Sequence, residues 1–118
     1  MQDFHNLQIW KRSHDLTKNI YTITKSFPKE ELFGLTSQIR RAVSSIPTNI
    51  AEGCGRGSNA DFARFLQIAI GSNTEVEYEL LLSYELGYLS YDDYYTLNQE
   101  TTEIRKMIIS LMSNLKVK

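Results

Sequence analysis

Apolar residues recur every three to four positions along four stretches of this chain, the spacing of one face of an α-helix. The first predicted helix runs from about Leu7 to Ser26, with Ile9, Leu16, Ile20 and Ile23 on its apolar face and Asn6 as a candidate N-cap. Phe27-Pro28 ends it, because the residue before proline is pushed out of the α region. The second spans about Thr36 to Glu52, with a stripe of Leu35, Ile39, Ala42, Val43, Ile46 and Ile50. Pro47 falls inside that pattern. It has no N–H for the carbonyl of Val43, so a kink is expected, with Ser44 or Ser45 bonding the freed backbone groups.

Gly53, Gly55 and Gly57 break this helix before a third, from about Asn59 to Leu86, opened by Ser58 with Asp61 as a capping box and closed by Gly87. The fourth runs from about Tyr91 to Leu115, opened by Ser90 with Asp93. Its residues Tyr94, Leu97, Thr101, Ile104, Ile108, Leu111 and Leu115 alternate by threes and fours, as a bundle seam does. Short connections make neighbouring helices antiparallel. The predicted fold is an all-α, antiparallel up-and-down four-helix bundle, one domain over residues 1–118.

The third helix is apolar on more than one side. Phe62, Leu66, Ala69, Val76 and Leu80 form one stripe. Phe65, Ile68, Leu82 and Leu86 form a second, and Ile70, Leu81, Tyr84 and Tyr88 a third. A helix apolar on several sides is normally buried on several sides. The excess predicts a homo-oligomer, with Phe65, Ile68, Ile70, Leu81, Leu82 and Tyr84 as candidate interface residues. Tyr84, Tyr88, Tyr91, Tyr94 and Tyr95 gather at the turn between the third and fourth helices. They are expected to plug the bundle end, the alternative being a partner-binding patch.

Charge narrows the functional classes. Thirteen basic residues face 14 acidic ones, a net charge of −1, so bulk electrostatics do not drive the chain onto nucleic acid or anionic membrane. Glu75 and Glu79 share the stripe of Phe65 and Ile68, and a carboxylate among apolar groups needs a partner. An antiparallel pairing of the second and third helices puts Arg40 level with Glu75 and Glu52 level with Arg64. The expected ion pairs join Arg40, with Arg41, to Glu75 or Glu79, within the subunit or across an interface, and Glu52 to Arg64.

Chemistry is sparse. His5 and His14 both lie near the N-terminus, and neither follows a glutamate by three, so no di-metal carboxylate set is formed. One cysteine, Cys54, has no histidine near it in sequence and cannot form an intrachain disulfide. Gly53-Cys54-Gly55-Arg56-Gly57 follows a helix rather than a strand and lacks the spacing of a nucleotide-binding loop. No enzyme activity, cofactor or metal is expected. Met1 to Trp10 does not read as a signal peptide, and no apolar run approaches the roughly 20 residues of a membrane span. A cytoplasmic protein with no membrane contact is expected.

The stretch from Phe27 to Gly57, FPKEELFGLTSQIRRAVSSIPTNIAEGCGRG, closely resembles the signature of the four-helix-bundle proteins found in intervening sequences of bacterial 23S ribosomal RNA genes. FHNLQIWKRS and FLQIAIGSNTEVEYELLLSYELGYL are similar to that family too, so the resemblance covers nearly the whole chain. It implies an up-and-down bundle assembled as a cyclic homopentamer. A related branch, the accessory variability proteins of diversity-generating retroelements, forms basic barrels that bind a reverse transcriptase and nucleic acid. This chain departs from that branch in charge, with Glu75, Glu77, Glu79 and Glu85 on one helix. The leading expectation is a non-enzymatic oligomeric scaffold for RNA or a nucleoprotein. Lys11, Arg12, Arg40, Arg41, Arg56 and Arg64 are its candidate phosphate contacts. The alternative is a protein-only adaptor or structural oligomer.

Overall fold

A computed structural model describes residues 3–116; the ends of the predicted domain and the first two residues of the Met1–Trp10 stretch lie outside that range. Four α-helices carry the fold: α1 (Gln8–Ile23), α2 (Leu35–Cys54), α3 (Asn59–Glu85) and α4 (Tyr91–Asn114). They lie side by side in chain order, each packing on the next and α4 returning to α1, in a body of 47 × 23 × 20 Å. This is the all-α up-and-down bundle that the periodicity predicts.

The helix ends follow local chemistry. Ser58 and Ser90 each accept a hydrogen bond at Oγ from the backbone N–H three residues on, Asp61 and Asp93. Gly87 is left-handed at φ 84°; its N–H reaches the carbonyl of Tyr84 and that of Tyr88 reaches Ser83, which together close α3. Two expected boundaries shift. Asn6 does not cap α1: it sits in a short 3-10 turn capped by Asp3, and α1 starts after Leu7 without a side-chain cap. At its other end α1 passes into a second 3-10 turn, Thr24–Ser26.

Pro47 is buried within α2, which runs through it from Leu35 to Cys54, past the expected end at Glu52. Neither serine meets the freed carbonyl of Val43. Ser44 turns to Arg41 O and Ser45 to Ser72, while the Thr17 hydroxyl of α1 donates to Val43 O. Gly53, expected to help end the helix, has a different task. A Cβ there would stand 2.8 Å from Phe62 Cδ1 and 2.9 Å from Phe65 Cβ, so its bare backbone lets α2 and α3 close together.

The core is one cluster drawn from all four helices, with Leu16, Ile20, Ile39, Val43, Ile46, Ile50, Leu66, Val76, Leu80, Ile104 and Ile108 buried. Two charged clasps stitch the outside. Arg12 forks onto both carboxylate oxygens of Glu100, at 2.9 and 2.7 Å, joining α1 to α4. Arg105 bonds Glu77 at 2.9 Å, joining α4 to α3.

Candidate functional site

Three lines run along α3. Phe65, Ser72 and Glu79 are seven residues apart, two helical turns, and so lie on one face. That face meets α2: Phe65 packs at Gly53, and Ser72 Oγ lies 2.8 Å from Ser45 Oγ. Asn49 extends the same polar strip, donating from Nδ2 to Ser45. One position outward runs a second heptad line, Ile68, Glu75 and Leu82. Ile68 is 43% exposed and Leu82 half-buried against the core. Beyond it lie Gly71, Tyr78 (61% exposed) and Leu81 (38% exposed).

Six interface candidates therefore divide. Ile68, Leu81 and Tyr84 are exposed, while Ile70 and Leu82 are half-buried on the core. Phe65 is buried, which corrects its assignment to an outer face. The guanidiniums of Arg56 and Arg64 lie 4.9 and 4.6 Å from its ring centre and cover it.

Glu79 is the outlying chemical group of this seam. It is 4% exposed, and its Oε1 has no hydrogen-bond partner. Burial first, then the neighbouring carboxylate of Glu75 and a hydrogen bond shared with it, push its carboxyl up to about 7. No described ion pair includes Glu75 or Glu79. Within the chain the expected Arg40 pairing is not made. Arg40 Nε donates to Thr24 Oγ1 at 2.9 Å, an Nη donates to Tyr21 O at 3.2 Å, and the guanidinium lies over the Tyr21 ring. The side chain points toward α1, away from α3. Glu52 and Arg64 also miss each other: each finds a nearer partner on its own helix, Arg56 at 3.0 Å and Asp61 at 3.5 Å.

The cations divide as well. Arg12, Arg56, Arg64 and Arg105 each reach a carboxylate. The two arginines left over, Arg40 and Arg41, are adjacent. Both line a groove between α1 and α2 with Tyr21, Phe33, Ser37 and Ser44. Phe33, in the turn before α2, is 92% exposed. Arg41 makes only a 3.4 Å bond to Ser37 Oγ. Lys11 is exposed on α1, far along the chain from this pair.

The five tyrosines at this end divide between core packing and exposure. Tyr84, Tyr91, Tyr94 and Tyr95 cluster, with Tyr84 and Tyr94 stacked at 5.0 Å and the other rings edge-on or tilted, and three of them are exposed. Tyr88 and Tyr94 are half-buried against the core, Tyr88 beside Phe27 with its hydroxyl donating to Glu31 Oε2. Cys54 is buried, and that burial raises its thiol. Among the described residues no helix is long and apolar enough to cross a membrane, and no group of three or more His, Cys, Asp or Glu is placed to hold a metal ion.

The clasps Arg12–Glu100 and Arg105–Glu77 were not among the expected pairs. The level argument used for α2 and α3 does not find Arg105–Glu77, which lies several residues off the level that the Asn73–Thr101 bond sets between α3 and α4; the two long side chains reach across the difference. Nothing in the sequence marks Thr17 as the partner of Val43.

Residues 5–110 match the family described as 23S rRNA-intervening sequence protein. No curated protein matches. A solved structure from Bacteroides thetaiotaomicron, a protein of unknown function from the S23 ribosomal protein family, is 32% identical, with a TM-score of 0.83 over 90% of this chain and 96% of its own. With the bundle, the helix-borne Pro47 and this match over most of its length, the chain belongs to the 23S rRNA-intervening sequence protein family.

Proposed function

We propose that this chain is a non-enzymatic, self-associating helical scaffold of the cytoplasm. The observation that carries the reading is the outer flank of α3, where Ile68, Tyr78 and Leu81 stand exposed beside a buried, unpartnered glutamate. Scattered exposed Leu and Ile are ordinary, but several along one helix, next to an unmet polar atom, have the make-up of a contact surface. The buried, unpaired Cys54 needs no oxidising compartment.

Light scattering coupled to size exclusion tests it. The expected mass is a multiple of 13.6 kDa, five times that value for the ring implied by the family resemblance. A mass of 13.6 kDa at high concentration ends the reading.

A second reading, a scaffold for RNA or a nucleoprotein, is favoured by one observation: Arg40 and Arg41 meet no carboxylate among the described residues and share a groove with the exposed Phe33 ring. Guanidinium and an open aromatic face are the chemistry that holds phosphate and stacks a base. Arg12, Arg56 and Arg64 are engaged with acids, so of the six candidate contacts only Lys11, Arg40 and Arg41 retain charge to offer. Binding to single-stranded RNA at low salt, weakening as salt rises, is the expected result. Unchanged mass and behaviour after nuclease treatment, with no binding at low salt, favours the protein-only scaffold.

A further inference from the structure

The outer face of α1 carries a pattern that core packing does not use. Lys11, His14, Lys18, Tyr21 and Lys25 alternate by threes and fours: cation, ring, cation, ring, cation. That spacing makes each the helix-surface neighbour of the next. The buried stripe of α1 is a different one, with Ile9, Leu16 and Ile20. All three lysines are exposed, and so is Tyr21. Among the described residues Lys11 and Lys25 form no ion pair. Lys18 reaches only Asp15, at 3.5 Å, with both side chains largely in solvent.

The stripe continues past α1 at both ends. Trp10 stacks on His14, with ring centres 4.8 Å apart and planes 8° from parallel. At the other end Tyr21 borders the groove of α2, where the Arg40 guanidinium lies 4.9 Å from its ring centre and Arg41 and Phe33 line the same wall. Charge is segregated along the chain in the same sense. Residues 7–54 hold seven Lys and Arg against four Asp and Glu, whereas residues 55–118 hold six against nine. The net charge of −1 thus conceals a basic flank on the first two helices.

We propose that this flank is the track of a single-stranded nucleic acid, with phosphates on Lys11, Lys18, Lys25 and Arg41 and bases laid on the rings between them and on Phe33. This rests on the RNA reading above and names the surface that carries it. Cations displace the counterions of a phosphate backbone, and an aromatic face stacks any base. Rings set between cations suit a strand whose base faces are open; a duplex keeps those faces stacked inside. Lys11 to Lys25 spans about 21 Å at the helical rise, so the track runs lengthwise and takes several nucleotides. Phe33, 92% exposed, lies outside the core cluster, and a stacked base removes its ring from water.

Fluorescence anisotropy tests the track with labelled oligouridine of roughly 12 nucleotides, oligothymidine of the same length and a matched RNA duplex, each at low and rising salt. Wild type is compared with Lys18→Gln/Lys25→Gln, with Phe33→Ala, and with Arg64→Gln/Lys116→Gln, which removes the same charge away from the stripe. Circular dichroism is the folding control. Wild type is expected to bind both strands more tightly than the duplex, and Trp10, the one tryptophan, is expected to lose emission as a strand binds. The lysine pair is expected to weaken binding and to lower the salt slope by about 1.4, two contacts at about 0.7 each. Phe33→Ala is expected to weaken binding about five- to a hundredfold with the slope unchanged.

A lysine pair that binds as wild type does, or no more weakly than the Arg64→Gln/Lys116→Gln control, overturns the track while leaving the RNA reading intact. So does a duplex bound as tightly as the strands. Binding of oligothymidine without oligouridine keeps the track and overturns the RNA reading. A wild type that binds no strand at low salt overturns both, and capture by phosphatidylserine vesicles in that case assigns the basic flank to a membrane surface.

Discussion

The hydroxyl of Thr17 stands 3.2 Å from the carbonyl oxygen of Val43, in the place of the N–H that Pro47 does not have. A helix-breaking residue is thus accommodated by the neighbouring helix. The same hydroxyl lies 2.8 Å from Ser13 O, so its one proton serves two carbonyls, one in α1 and one in α2. Thr17→Val keeps the shape and removes the bond, leaving Val43 O unmet. The expected loss is about 1–2 kcal/mol by chemical denaturation. With Pro47→Ala present, an N–H returns to position 47, and the same threonine change is expected to cost less by at least about 0.5 kcal/mol. Equal costs in the two backgrounds would show the contact to be incidental.

Leu66 and Ile104 are fully buried in the common core. Leu66→Ala and Ile104→Ala are each expected to cost about 2–5 kcal/mol, the transfer loss plus the cavity left behind. Thermal or urea denaturation at matched protein concentration measures this. A cost below 1 kcal/mol, about that of one methylene, would contradict the packing.

Two helical glycines are predicted to answer alanine with opposite signs. Gly53→Ala drives a methyl against Phe62 and Phe65 and is expected to destabilise by about 1–3 kcal/mol, in spite of alanine's better helix propensity. Gly71→Ala meets nothing in the chain and is expected to stabilise the protomer by about 0.5–1 kcal/mol. Denaturation of both variants, side by side, checks the pair.

Glu79 couples protomer stability to pH. Its carboxyl stands at about 7 in the folded chain against an ordinary 4.5. Below the ordinary value it is protonated both folded and unfolded, and stability does not depend on it. Between 4.5 and about 7 the folded chain holds a proton that the unfolded chain has lost, so stability falls as pH rises. The full penalty, on the order of 2–3 kcal/mol, is present above 7. Glu79→Gln is expected to flatten this slope and to stabilise the chain at pH 8, as read from melting temperature against pH at matched protein concentration. A slope unchanged by Glu79→Gln assigns the pH dependence to other groups.

The fold was legible because the apolar stripes are regular and the ends are punctuated by Ser58, Ser90 and Gly87, all local signals. Long-range detail was harder. Arg40 stands level with Glu75, but level is only one coordinate: around the axis of α2 its side chain turns to α1, where Thr24 Oγ1 and the Tyr21 ring receive it. Phe65 shares a sequence stripe with Ile68 yet lies under two guanidiniums, because the bare backbone of Gly53 draws α3 inward at that point. Glu79 was recognisable as a carboxylate in apolar company. That no cation among the described residues pairs with it depends on where every other cation goes, which periodicity does not carry.

The α1–α4 seam is the slackest in the bundle, and an open apolar groove lined by Leu7, Ile9, Met107 and Leu111 runs along it. The Arg12–Glu100 fork is its main polar tie, whereas α2 and α3 are drawn together along their whole length. Free energy is therefore unevenly spread through the molecule. The middle hairpin is the durable half, and the first and last helices are the leaves of a door latched by one guanidinium. Amide exchange and proteolytic nicking are expected to begin on those leaves.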